Sequence, residues 1–341
     1  MLSSTSNSNE RLPEIPWGRT WGLALSLLVL LCLGYEGFWR ARGFRSSVTD
    51  DMALWAKVLH SIPARSPDAT VALGASRIRL GLDTDELQRG FNQRKPYQLA
   101  VAGSLCLPVL RHLVDETGFA GLILYDVHPG SICGTPFFGT PLAQAEYLQQ
   151  AQQLSAVSDL DVELRTRLDQ LLVSRRSDLT IKSVLVHLLE KKALPICTRW
   201  VQADRRMLAD YSTFVSVEPE VESATRLPSS QEVFEERFQE LARLVDKLRA
   251  RGGEIFFVRM PSSGQKLERE ERLFPRELEW DQIVRRLDAA AFHFADDERT
   301  AGLKVPDQGH LDYRDSTRFT EVLAEKMRAS QRLRKYLSDL P

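Results

Sequence analysis

Residues 71–77 read V-A-L-G-A-S-R. A short apolar run enters a glycine, and a serine follows two positions later. Such a run, bounded by turn residues, predicts a buried strand over about residues 70–74. Gly74 permits a tight turn. Ser76 then stands just past the strand, where following backbone N–H groups can stabilise a developing negative charge. Taken alone, this pattern also fits a serine that caps the next helix.

Moving outward from Ser76, similar apolar runs occur at Tyr97–Ala102, Gly121–Val127, Glu254–Met260 and Ala291–Ala295. Between or after them lie helical patterns at 104–117, 142–172, 180–192, 231–251, 275–289 and 315–337. Strands alternating with helices predict an α/β fold with a parallel sheet covered on both faces. Five strands fit a flavodoxin-like three-layer sandwich, with a site beyond the carboxyl ends of the strands. Residues 131–228 separate the third and fourth strands and carry polar helical stretches. They read as a helical insertion at the active-site edge, serving as a lid, a docking face or packing. The acidic run at 216–224 reads as a solvated loop.

The N-terminus has its own character. Residues 1–20 are rich in Ser, Asn and Pro and read as a disordered tail. From Trp21 to Trp39 the only charge is Glu36. About 19 residues in a helix just span a hydrocarbon core. Trp17, Trp21, Tyr35 and Trp39 bracket the run as an interfacial aromatic belt would. The expectation is a single uncleaved transmembrane anchor at 21–39, followed by a domain over 46–341. Arg11 and Arg19 precede the run while Arg40, Arg42 and Arg45 follow it, so charge does not orient the helix.

The chain has 45 basic and 46 acidic residues. This balance gives no reason to expect a nucleic-acid partner, which needs clustered positive charge. Cys32, Cys106, Cys133 and Cys197 form no CxxC pair. Neither a zinc site nor a disulfide framework is expected; a single Cys106–Cys133 bridge is conceivable outside the cytoplasm, against the alternative of simple burial. The histidines show no metal-ligand spacing, and there is no Walker loop or GxGxxG. No metal or cofactor is therefore expected.

A second constellation lies at 305–320, V-P-D-Q-G-H-L-D-Y-R-D-S-T-R-F-T. Asp307 and His310 sit three apart in a loop directly before the last helical pattern. A serine hydroxyl is a poor nucleophile until a positioned base takes its proton. This spacing lets a carboxylate hold the imidazole in one tautomer while its other nitrogen reaches a hydroxyl. An isolated D-x-x-H also occurs in loops where the Asp merely caps.

Together these blocks resemble the SGNH (GDSL-like) hydrolase superfamily. G-A-S-R-I matches its serine block, L-A-V-A-G-S at 99–104 its glycine block, and D-Q-G-H-L its last block. The resemblance runs in order over about residues 60–340. It implies a flavodoxin-like fold, Ser76 as nucleophile, His310 as base, Asp307 as orienter and the Gly103 N–H as an oxyanion donor. The family's asparagine after the third strand is missing: residues 124–130 read L-Y-D-V-H-P-G. His128 is the replacement donor to consider, with Asp126 structural. This departure, with the N-terminal anchor, is similar to membrane-anchored SGNH-like proteins that accompany cell-surface polysaccharide O-acetylation. That similarity implies an inner (cytoplasmic) membrane location, an extracytoplasmic domain, an acylated polysaccharide substrate and a membrane acyltransferase partner.

A third cluster, F-F-V-R-M-P-S-S-G at 256–264, puts Arg259 near the carboxyl edge of the sheet, and Arg77 directly follows the serine. Each guanidinium either binds a carboxylated sugar or acyl oxygen, or makes a structural ion pair. Three functions follow: a serine acyl-ester hydrolase or O-acyltransferase acting on a glycan; a catalytically inactive partner or glycan-binding protein; and a phosphate- or flavin-binding flavodoxin-like module using the G-A-S turn as an anion nest. The last leaves Asp307 and His310 unexplained.

Overall fold

Strands read as unbroken apolar runs because they are buried on both faces. In the computed structural model, which describes residues 17–63, 65–92, 94–134, 140–153, 155–212 and 227–337, five strands form one parallel sheet. They are β1 (Thr70–Leu73), β2 (Tyr97–Gln98), β3 (Leu122–Asp126), β6 (Glu254–Arg259) and β7 (Ala290–His293), in the order β2-β1-β3-β6-β7. Every neighbouring pair is parallel. Alternate side chains feed two cores. On one face Val71, Leu73, Ile123, Tyr125, Ile255 and Phe257 pack with Trp55, Leu241 and Leu244. On the other, Ala72, Leu124, Phe256 and Val258 pack with Phe319, Leu323 and Met327. This is the flavodoxin-like α/β sandwich, and the register places Leu73 beside Tyr125 and Asp126 beside Val258 at its carboxyl edge.

The sheet belongs to a unit spanning Arg45–Pro341, separate from a unit spanning Met1–Phe44. The first unit contains one 25-residue helix, Trp17–Ala41, long and apolar enough to cross a membrane. It begins at Trp17. Residues 17–20 are therefore helical, where a disordered tail was expected; the tail's residues 1–16 lie outside the described residues. Glu36, the lone acid, is paired one turn on with Arg40 at 2.7 Å.

Several boundaries depart from the periodicity. β2 ends at Gln98, although Leu99 and Val101 still donate to the Ala72 and Gly74 carbonyls before the chain turns at Gly103. The pattern at 104–117 becomes a helix at Leu107–Arg111 and a π-helical turn at His112–Thr117, stopped by left-handed Gly118. A ten-residue helix, Gly264–Leu273, occupies what reads as loop after β6. It lacks an apolar stripe, and Glu270 is its most consequential inward residue.

The insertion contains the helices Thr140–Gln152, Ala156–Leu171 and Ile181–Leu189. It also holds an antiparallel hairpin, β4 (Arg199–Val201) with β5 (Met207–Ala209), which helical periodicity does not foretell. The hairpin is pinned to the edge of the main sheet by Arg205, fully buried and with φ of 67°. Its guanidinium reaches Asp50 and the Gln98 carbonyl, both at 2.6 Å, and so covers backbone acceptors at the β2 edge. The acidic run at 216–224 lies outside the described residues.

Candidate active site

The turn after β1 is built so that only glycine fits at 74. Its φ is 156°, and a Cβ there would come within 2.6 Å of the Asp126 Cβ and 2.8 Å of Ile78. The chain then passes Ala75 and begins the short helix Ser76–Gly81, leaving Ser76 at the carboxyl edge of the sheet. Ser76 Oγ lies 2.8 Å from His310 Nε2, and His310 Nδ1 lies 2.8 Å from Asp307 Oδ2. With Nδ1–H donating to the carboxylate, Nε2 presents its lone pair to the serine hydroxyl.

The loop 307–310 is shaped for this. Asp307 Oδ1 accepts the Gly309 and His310 amides at 3.0 and 2.7 Å, so one carboxylate fixes both its own loop and the imidazole. Gln308 takes φ of 63°, and its side-chain oxygen accepts the Lys266 amide at 3.0 Å. Ser263 donates from its amide to the Gln308 carbonyl at 3.3 Å, docking the loop against the segment after β6. The helix Tyr313–Ala329 starts immediately afterwards, capped by Asp312.

Two residues from the insertion complete the constellation, and nothing in the sequence singles them out. Tyr211 Oη donates to Asp307 Oδ2 at 2.7 Å, and Arg199 Nη2 reaches Tyr211 Oη at 3.0 Å and Asp307 Oδ2 at 3.5 Å. Arg199 opens β4, and Tyr211 follows β5 by two residues. The Tyr211 amide also donates to Asp312 at 2.8 Å, tying the hairpin exit to the start of the last helix. Burial opposes the charge on Asp307, but bonds from His310 and Tyr211 and the Gly309 amide outweigh it and hold the carboxyl well below its usual range. Burial, and then Asp307, push the Tyr211 phenol up, so it stays a donor.

Gly103 occupies the turn beside the serine loop, exposed and left-handed at φ 72°. Val101 links the two turns by donating to the Gly74 carbonyl at 3.2 Å. His128 follows β3, with Nδ1 2.9 Å from the Pro129 carbonyl. That bond makes Nδ1 a donor, so Nε2 can donate only in the imidazolium form. The rest of this loop wraps around one buried carboxylate: the Gly130 and Cys133 amides donate to Glu279 at 2.7 and 3.2 Å, and the Ile132 amide at 2.5 Å. Burial pushes the Glu279 carboxyl up despite these donors.

Arg77 and Arg259 are not turned to solvent. Both grip Glu270: Arg259 Nη2 at 2.6 Å, and Arg77 through both terminal nitrogens. Arg259 further donates to the Met260 carbonyl at 2.8 Å and to Ser262 Oγ at 3.2 Å. Burial opposes the Glu270 charge, but the two guanidiniums outweigh it. Of the two roles open to these arginines, the structural ion pair is the one present; a substrate anion would have to displace Glu270. Behind them Asp126 is fully enclosed. Its oxygens make no hydrogen bond of good geometry among the described residues, although the Met260 and Ala75 amides lie near them, and burial, relieved in part by Arg259, Arg77 and those amides, pushes its carboxyl up to about 6. Cys106 and Cys133 are both unbridged, so the conceivable disulfide is not formed.

No known family model matches this chain, and no curated protein does. Among solved structures, the crystal structure of TesA is similar, with a TM-score of 0.36 and 12% identity over 76% of this chain and 98% of that one.

Proposed function

We propose that this chain is a membrane-anchored serine acyl-ester hydrolase or O-acyltransferase of the SGNH type, acting on an acylated glycan. The observation that carries the reading is the unbroken relay Ser76–His310–Asp307, with 2.8 Å at each link. His310 Nε2 takes the hydroxyl proton as Ser76 Oγ bonds to the acyl carbon. The resulting imidazolium is stabilised by Asp307. The oxyanion is met by the Ser76 and Gly103 backbone N–H groups, and by His128 Nε2 when protonated. His310 then returns the proton to the leaving alcohol, giving a Ser76 acyl ester. Water or a sugar hydroxyl, deprotonated by His310, completes the cycle. The helix Trp17–Ala41 supports the membrane assignment. The inner membrane location, the extracytoplasmic side, the polysaccharide and an acyltransferase partner rest on the family resemblance.

A second reading is an inactive, anchored binding protein. It is favoured by the histidine where the family has a neutral asparagine donor, and by the engagement of Arg77 and Arg259 with Glu270. A fluorophosphonate probe separates the two. The enzyme reading expects labelling of wild type and none of Ser76→Ala; equal labelling of both sinks it.

A further inference from the structure

The Ala156–Leu171 helix is amphipathic in the inverted sense. The side that faces the domain is largely polar, although Val162 is buried there against Val48 and Leu54. Asp169, 1% exposed, accepts from the Thr49 amide and hydroxyl at 3.1 and 3.0 Å. Arg165 pairs with Asp51 at 2.6 Å, and Glu163 pairs with Lys57. Its outward side carries Leu160, Leu164 and Leu168, which are 58%, 53% and 45% exposed. A helix of a soluble domain normally buries that stripe. The next helix, Ile181–Leu189, reads I-K-S-V-L-V-H-L-L and buries none of its residues. Leu185 and Leu189 stand 51% and 81% exposed.

These side chains form a concentration, not a scatter. Among the described residues of 45–341, fifteen large apolar side chains are exposed, and twelve of them lie between Val157 and Ile196. Large apolar side chains left exposed along two successive helices mark a surface that works against something other than water.

We infer that this outward face of the insertion docks on a lipid bilayer surface. Three observations favour lipid over protein. The face belongs to a chain that carries its own membrane-length apolar helix, ending at Ala41. The domain's first residue, Arg45, offers its carbonyl to Arg176 at 3.2 Å, in the stretch between the two insertion helices. The patch is therefore fastened to the chain where it leaves the apolar helix, which raises its effective concentration at the bilayer. Finally, Lys182 in the first turn of the apolar helix and Lys191 just past its end have stems long enough to carry their ammonium groups to phosphate level.

The inference rests on the anchoring part of the proposed function and not on its chemistry. It is tested on the full chain carrying the photoreactive residue p-benzoylphenylalanine in place of Leu164, Leu185 or, as a control, Leu278, which is 57% exposed elsewhere on the domain. Each variant is reconstituted into phosphatidylcholine–phosphatidylglycerol vesicles, floated, irradiated and analysed by peptide mass. Phospholipid adducts are expected at positions 164 and 185 and not at 278. Floated chain without adducts at 164 and 185, or with equal adducts at 278, overturns the docking while leaving the anchor intact. Failure to float removes the anchor, and the docking with it; probe labelling of Ser76 reports independently on the chemistry. Cross-links to a protein in native membranes, with no lipid adduct in vesicles, also overturn the inference and make the face a protein interface.

Discussion

The Tyr211 hydroxyl donates to Oδ2 of Asp307, the same carboxylate oxygen that accepts from His310 Nδ1. A residue at the exit of the insertion hairpin thus bonds the group that orients the candidate base. Removing the hydroxyl leaves the loop 307–310 in place, because Oδ1 still holds two amides. Tyr211→Phe should therefore keep the fold, lift the Asp307 carboxyl toward its ordinary value and cost about 1–2 kcal/mol at neutral pH. Asp307 is held low in the folded state, so its contribution is present above the ordinary carboxylate range and is lost as pH falls through the folded value. The difference in Tm between wild type and Tyr211→Phe should shrink progressively at acid pH; a difference independent of pH would assign Tyr211 to packing alone.

If the relay performs acyl transfer, its members act as a unit. Ser76→Ala, His310→Ala and the double variant should each lower kcat for a p-nitrophenyl ester by about 10³-fold or more, with the double no worse than the weaker single. Asp307→Asn should cost about as much, since the amide no longer specifies the imidazole tautomer. Multiplicative losses in the double variant would mean that Ser76 and His310 work separately.

His128 offers a test of how the oxyanion is met. Its Nδ1 is committed to the Pro129 carbonyl, so its other nitrogen donates only when the ring is charged. His128→Ala should lower kcat by about 10²-fold, the usual cost of one oxyanion donor. His128→Asn supplies a neutral donor and should recover much of that loss. Equal kcat for wild type, His128→Ala and His128→Asn argues against any part for His128 in binding the oxyanion.

The positions of the strands along the chain were legible because parallel strands are buried on both sides and betray themselves as apolar runs such as Leu122–Asp126. The positions of Asp307 and His310 were legible because three residues of covalent spacing almost fix their contact. The hairpin was not, since strands of three residues such as Arg199–Val201 carry no usable period. Nor was the engagement of Arg77 and Arg259. Their placement at the carboxyl edge follows from the strands, but their shared partner Glu270 sits on a helix without an apolar stripe, 11 residues from Arg259 and 193 from Arg77, and neither spacing leaves a periodic mark.

Asp126 gives the sharpest link between the site and stability. Its carboxyl is enclosed beside the Gly74 turn, with Arg77 and Arg259 near but both committed to Glu270. A folded value of about 6 stands above the ordinary one of about 3.9. The folded state therefore holds the proton more tightly than the unfolded chain. The favourable contribution is full below about pH 4 and is lost as pH rises through about 6. Asp126→Asn keeps the shape and abolishes that titration. Other groups titrate alike in both proteins, so the difference between them isolates Asp126. Wild type and Asp126→Asn should be similarly stable at pH 4, and the variant should be more stable by about 2–3 kcal/mol at pH 8. Chemical denaturation at the two pH values measures it. A wild type that gains on the variant as pH rises would mean that the carboxylate is instead held by the two arginines as a paired charge.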